Sequence, residues 1–218
     1  MKVLKNNWQF ILFNIIILLT FIIGYGHFGD IMVDSFREAY IPSEVVKGQV
    51  LYKNIFTIYA PFAYLFNALL FKIFGVRLEV LYGAGLLATY LILNIVFAIA
   101  NRFMNKTYSL SIVLFIISVS VLSPNVFNFY FPYSYGILYG VLFVLASIYF
   151  ALKDKNQLSY LMYSFAICSK YEFIFLLPLL FYVTRTRDLW KNILALLIPF
   201  IITYTPLFLM GVRLNDII

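Results

Sequence analysis

Of 218 residues, 64% are hydrophobic and 11% charged, against roughly 25% charged in ordinary soluble domains. That much apolar surface argues against a soluble globular domain and predicts an integral membrane protein. The formal charge of +7 does not mark a nucleic-acid binder, because Lys and Arg fall in small groups between apolar runs rather than in one patch.

The chain begins with a basic segment carrying Lys2 and Lys5, followed by an apolar run from Trp8 to about Gly26. A signal peptide has a shorter apolar core and a small-residue cleavage site. Neither is present, so the run reads as a retained first membrane helix. Residues 28–79 differ, holding ten of the twenty-five charged residues and two prolines. Two helices lying against the membrane are predicted there, near 34–47 and 61–74. Pro42 is expected to kink the first and Gly48 to end it, while Pro61 suits the first turn of the second. The apolar piece 61–75 reaches only about 21 Å at helical rise, short of a comfortable span. Further apolar runs occupy roughly 80–100, 109–124, 136–152, 158–169, 173–184 and 192–208. Lys170-Tyr171-Glu172 separates two of them, which predicts two short helices meeting at an outer turn. Cys168 is a single cysteine, so it forms no internal disulfide and reads as a buried thiol.

Charge distribution sets the orientation. If 61–75 does not cross, the inner segments carry nine of the sixteen Lys and Arg and only Asp154 and Asp188 among the acids. The outer segments then balance at zero net charge. If 61–75 does cross, the later loops flip and the bias is lost. The expected fold is therefore all-α, a single polytopic transmembrane domain over 1–218 with about seven membrane helices. The N-terminus is cytoplasmic and the C-terminus extracytoplasmic. The extracytoplasmic loop 27–78 holds the two juxtamembrane helices. Richness in Lys, Asn, Ile and Phe suits an AT-rich bacterial genome, and so an inner cell membrane.

The start of that loop concentrates Asp30, Asp34, Arg37 and Glu38 within nine residues. On a helix Asp34 lies one turn from Arg37 and Glu38. A carboxylate beside a cation at a membrane surface can serve as a base toward a substrate whose anionic group the cation holds. The same pattern also fits a salt-bridged helix with Asp34 as its N-cap. Lys170 lies near membrane depth, where an ionisable residue is a functional candidate; Glu172 would balance it, and snorkelling to the surface is the alternative. Tyr130, Tyr133 and Tyr135 fit an interfacial aromatic belt, with sugar stacking as the functional reading. Lys72 and Arg77 read as interfacial anchors. His27 is alone, so no zinc site is expected. Asn105-Lys106-Thr107 has the form of a glycosylation sequon, on the side where it would go unused.

Asp34-Ser-Phe-Arg-Glu-Ala-Tyr-Ile-Pro, Lys47-Gly-Gln-Val-Leu-Tyr-Lys-Asn-Ile, Tyr59-Ala-Pro-Phe-Ala-Tyr and Phe71-Lys-Ile-Phe-Gly together resemble the GT-C superfamily of membrane glycosyltransferases. The likeness is to the dolichyl-phosphate-mannose protein mannosyltransferases (family 39) and the lipid A aminoarabinose transferases. It runs from residue 8 to about 210, is most specific between 30 and 75, and weakens through Phe131-Pro-Tyr-Ser-Tyr and Lys170-Tyr-Glu. It implies the shared N-terminal module of that superfamily, in a chain shorter than its full-length members. The implied reaction moves a sugar, with inversion, from a polyprenyl-phosphate carrier to a glycan, lipid or protein acceptor on the outer face. Membrane lipid is the other implied partner, with no nucleic acid.

Asp34 matches the catalytic acidic position of that superfamily and Asp30 is the second candidate. Many relatives carry an Asp-Glu pair at this point, where Ser35 follows Asp34 here. Arg37, Lys170, Glu172 and Tyr133 are the candidates for the lipid phosphate and donor. No cofactor is expected, and a metal on Asp30 and Asp34 is not required by the pattern. Two other classes fit parts of the sequence: a truncated, non-catalytic membrane module, and a transporter or flippase of lipid-linked sugars. The flippase would want charges or broken helices in mid-membrane, whereas the charges here cluster in loops.

Overall fold

Apolar runs punctuated by Pro, Gly and charge close into helices because, away from water, helix formation satisfies every backbone group locally. A computed structural model describes residues 8–24, 35–122, 128–184 and 188–217. In chain order the helices are α1 (Trp8–Gly24), α2 (Ser35–Val46), α3 (Phe62–Phe74), α4 (Leu78–Phe103), α5 (Lys106–Ser120) and α6 (Tyr135–Ala151). Then come α7 (Asn156–Ser169), a 3-10 helix (Tyr171–Leu176), α8 (Leu177–Thr184), α9 (Leu189–Leu209) and α10 (Leu214–Ile217). No β-strand forms among the described residues, and the architecture is all-α. Two helices, Leu78–Phe103 and Trp190–Leu209, are long and apolar enough to cross a membrane. Helices α1, α5 and α6 are apolar but shorter, at 17, 15 and 17 residues.

The two short helices expected after the first run fall at α2 and α3. Pro42 lies inside α2, and Gly48 follows it with φ 94°, a left-handed turn that suits glycine. Pro61 is the N-cap of α3. The expected break at Lys170-Tyr171-Glu172 is also present. Lys170 is extended and the 3-10 turn reverses the chain, so α8 runs back along α7. Tyr160 and Thr184 hydroxyls meet at 3.0 Å, and the Tyr163 hydroxyl donates to the Phe173 carbonyl.

Among the described residues, four clusters of buried side chains hold the helices together, one of them joining Ile41 of α2, Leu51 and Tyr52, Tyr64 of α3 and Leu207 of α9. Phe13 and Ile17 of α1 meet Leu93 and Phe97 of α4 and Val113 and Ile117 of α5. Phe71 of α3, Leu81 and Ile92 of α4, and Tyr135 and Leu138 of α6 form another. The last joins Tyr160 and Tyr163 of α7 to Leu180 of α8 and Ala195 of α9. Small residues allow the closest approaches. A Cβ at Gly85 of α4 would lie 2.1 Å from the Tyr130 carbonyl oxygen, and one at Gly136 of α6 would lie 2.6 Å from that of Ser169. Cys168 is fully buried. Asn105 caps α5, its side-chain oxygen accepting the Tyr108 N–H at 3.0 Å.

The belt expected of Tyr130 and Tyr135 is not what the fold makes of them. Both are buried within the protein, at 1% and 0% exposure. Tyr130 donates to the Ile17 carbonyl at 2.9 Å and Tyr135 to that of Leu81 at 2.7 Å. Each phenol satisfies a polar group inside a helix packing, which a sequence pattern of aromatic spacing cannot distinguish from an interfacial ring.

Candidate functional site

The first turn of α2 carries Arg37 and Glu38 as neighbours in sequence that point to different environments. Glu38 is 1% exposed. One carboxylate oxygen accepts the backbone N–H of Tyr135, the first residue of α6, at 3.0 Å. The other accepts from Arg37 Nη2 at 3.3 Å and from the Tyr64 hydroxyl at 3.4 Å. Glu38 therefore caps α6 from another helix, where the N-terminal partial charge favours an anion. Burial nevertheless dominates its ionisation and raises the carboxyl to about 7; the Tyr135 N–H and the Arg37 charge pull the other way and only partly offset it. The carboxyl is consequently shared between protonated and ionised forms near neutrality.

Arg37 keeps about a quarter of its side chain exposed, at 26%. Its Nη1 donates to the Tyr59 hydroxyl at 3.4 Å and its Nη2 to the Tyr133 carbonyl at 3.2 Å. The guanidinium carbon also sits 4.6 Å from the centroid of the Tyr59 ring. Three separate segments thus fix one cation: α2 itself, the stretch before α3 and, through the Tyr133 carbonyl and through Glu38, the stretch leading into α6.

Tyr59 links this group to a second one. The Tyr52 hydroxyl donates to the Tyr59 carbonyl at 2.6 Å and lies 3.3 Å from the Tyr171 hydroxyl, which accepts from Tyr204 at 3.1 Å. Tyr52 adopts a left-handed conformation with φ 68°, rare for a non-glycine residue. The Leu51–Ile55 bridge holds that turn. Burial and the Tyr171 hydroxyl keep the Tyr52 phenol protonated well beyond its usual range. Flanking Tyr171, Lys170 and Glu172 pair at 3.2 Å, with 26% and 64% of their side chains exposed.

Among the residues predicted from sequence, Arg37 and Tyr133 meet directly, though Tyr133 contributes its carbonyl. Lys170 and Glu172 meet each other and reach the Arg37 group through Tyr171, Tyr52 and Tyr59. Asp30 and Asp34 lie outside the described residues; Asp34 immediately precedes α2. Glu38, Tyr52, Tyr59, Tyr64 and Tyr204 were not singled out as site residues. For Glu38 the signal was an acid beside Arg37; its partner Tyr135 lies 97 positions downstream, beyond any local pattern. Among the described residues no group of three His, Cys, Asp or Glu stands ready for a metal.

The chain matches no family model, no curated protein and no solved structure. What the site can do is argued from its own chemistry. An anchored, partly exposed guanidinium next to an acid-bearing segment can hold a phosphate while a carboxylate takes a proton.

Proposed function

We propose that this protein is a polytopic membrane glycosyltransferase, moving a sugar from a polyprenyl-phosphate carrier to an acceptor on the extracytoplasmic face with inversion. The single observation that carries the reading is the immobilised Arg37 guanidinium, three residues after Asp34 and held by Glu38, Tyr59 and the Tyr133 carbonyl. The sequence resemblance to the GT-C superfamily places a catalytic acid at Asp34, and the charge bias places that segment outside. In this reading about seven helices cross the membrane, with α2 and α3 lying at its outer surface.

The acceptor hydroxyl gives its proton to the Asp34 carboxylate as its oxygen attacks the anomeric carbon. The bond from that carbon to the carrier phosphate breaks on the opposite side, and the phosphate leaves with the electron pair. A phosphate is a stable leaving group, so the site needs a base and cations rather than a strong acid. Arg37 meets the phosphate, with Lys170 as the second cation. Glu38 is unsuited to the role of base. Its two oxygens are occupied by Tyr135, Tyr64 and Arg37, and it is buried.

The test is sugar transfer by the purified chain in lipid supplied with a polyprenyl-phosphate sugar. Asp34→Asn is expected to abolish turnover while folding survives. Arg37→Ala is expected to cut kcat/KM by about a hundredfold, since a charge-assisted contact to phosphate contributes about 2–3 kcal/mol. Wild-type turnover in Asp34→Asn would remove Asp34 as the base.

A further inference from the structure

At the opposite end of α7 from Lys170, a cleft of about 780 Å³ opens between the first turns of α7 and α9. The two helices run parallel side by side. Ser164 Oγ donates to the Leu196 carbonyl at 2.5 Å, each residue about two turns into its helix. Both N-termini therefore face one space. The first N–H groups of a helix have no partner within it and carry partial positive charge, so two together favour an anion. Neither helix is capped by its own N-cap side chain, which is Lys155 for α7 and Asp188 for α9. Asp188 pairs instead with Lys191 at 3.3 Å.

A second observation points to a ligand. Asn192 lines the cleft from α9 and is 1% exposed, yet neither its Nδ2 nor its Oδ1 finds a hydrogen-bond partner among the described residues. Burying an amide without partners forfeits its hydration with nothing in return, so such a residue is ordinarily satisfied. The amide offers a donor and an acceptor side by side. Around it stand Lys155, which attracts an anion, and the carboxylates Asp154 and Asp188, which repel a bare one but accept readily from hydroxyls.

These requirements select one chemistry. We infer that the cleft binds a phosphate ester with a hydroxyl-bearing remainder, such as a polyol phosphate. The phosphate lies between the two helix N-termini, on Lys155 and Asn192 Nδ2, and the hydroxyls donate to Asn192 Oδ1, Asp154 and Gln157. Two sources carry this group: a soluble polyol phosphate, and the headgroup of phosphatidylglycerol. The site is separate from the Arg37 group and does not depend on the transfer reaction.

Trp190 in the first turn of α9 is 78% exposed and serves as a reporter. The full chain carrying Trp8→Phe is placed in phosphatidylcholine nanodiscs and titrated with glycerol 3-phosphate while Trp190 fluorescence is followed. A parallel preparation uses phosphatidylglycerol nanodiscs. Saturable binding of equal strength in both lipids identifies a soluble ligand. A spectral change on passing to phosphatidylglycerol, with weakened glycerol 3-phosphate binding, identifies the headgroup. Either result is expected to weaken about tenfold or more in Asn192→Asp, which keeps the side-chain size but presents a second anion to the phosphate. Lys155→Glu, on an exposed side chain, gives the same loss without touching the packing. The inference is overturned if neither glycerol 3-phosphate nor the change of lipid alters the fluorescence, or if the response survives in both variants.

Discussion

Glu38 combines burial with three donors, and this makes its charge state a property of the fold. The unfolded chain releases the proton above about pH 4.5, whereas the folded protein keeps it to about 7. Folding is therefore favoured below about 4.5, loses stability as pH rises from there to about 7, and changes no further above that. In detergent, the thermal midpoint of the wild type is expected to fall between pH 5 and pH 8 relative to Glu38→Gln, which has no group to titrate there. The size is on the order of 1–3 kcal/mol. Glu38→Ala removes the acceptor for the Tyr135 N–H and is expected to destabilise by about 1–3 kcal/mol at either pH. A parallel pH profile in Glu38→Gln would show that this carboxyl does not govern the dependence. Arg37 and Tyr59 sit at the same scale: a flat guanidinium over a phenol ring is a geometry lysine does not reproduce, so Arg37→Lys is not conservative here.

Among elements, the close approaches at glycine decide how tightly the bundle closes. Gly85 faces the backbone of Tyr130, and backbone cannot swing aside. Gly83, two residues away on the same helix α4, has nothing within 4 Å of where its Cβ would be. Gly85→Ala is expected to lower stability by about 1–3 kcal/mol through overpacking. Gly83→Ala is expected to be neutral or to gain up to about 1 kcal/mol from helix propensity. Thermal midpoints of the two variants in the same detergent make the comparison; equal effects would mean that the α4 contact gives way freely. The apolar run that becomes α4 and the punctuation by Pro61, Gly48 and Lys170 were legible in the sequence. The choice of Gly85 over Gly83 as the contact was not, because both are simply glycines in an apolar run.

Across the whole molecule the exposed apolar faces are extensive. Ile22, Ile23, Phe115, Ile201 and Leu209 are each more than half exposed, on α1, α5 and α9. Contiguous faces of that kind need a cover, and the membrane reading supplies lipid. Orientation is tested with single cysteines in intact cells, since Cys168 is buried and unreactive to bulky reagents. An impermeant maleimide is expected to label Phe56→Cys, an 88% exposed position before α3, and to reach Lys155→Cys only after lysis. Labelling in the reverse order would put the Arg37 group in the cytosol and end the proposed reaction.

Helix formation, the break at residue 170 and the clustering of acid and cation around the start of α2 follow from local composition, because helices and turns are written in contacts a few residues apart. The environments of those charges do not. Arg37 is fixed by Tyr59 and Tyr133, Glu38 by Tyr135, and Asn192 is buried without a side-chain partner among the described residues, all through helix packings that join positions far apart along the chain. Desolvation and hydrogen-bond geometry act across space, so the same residue letters become an ordinary surface ion pair or a buried, shifted carboxyl according to which helices close over them.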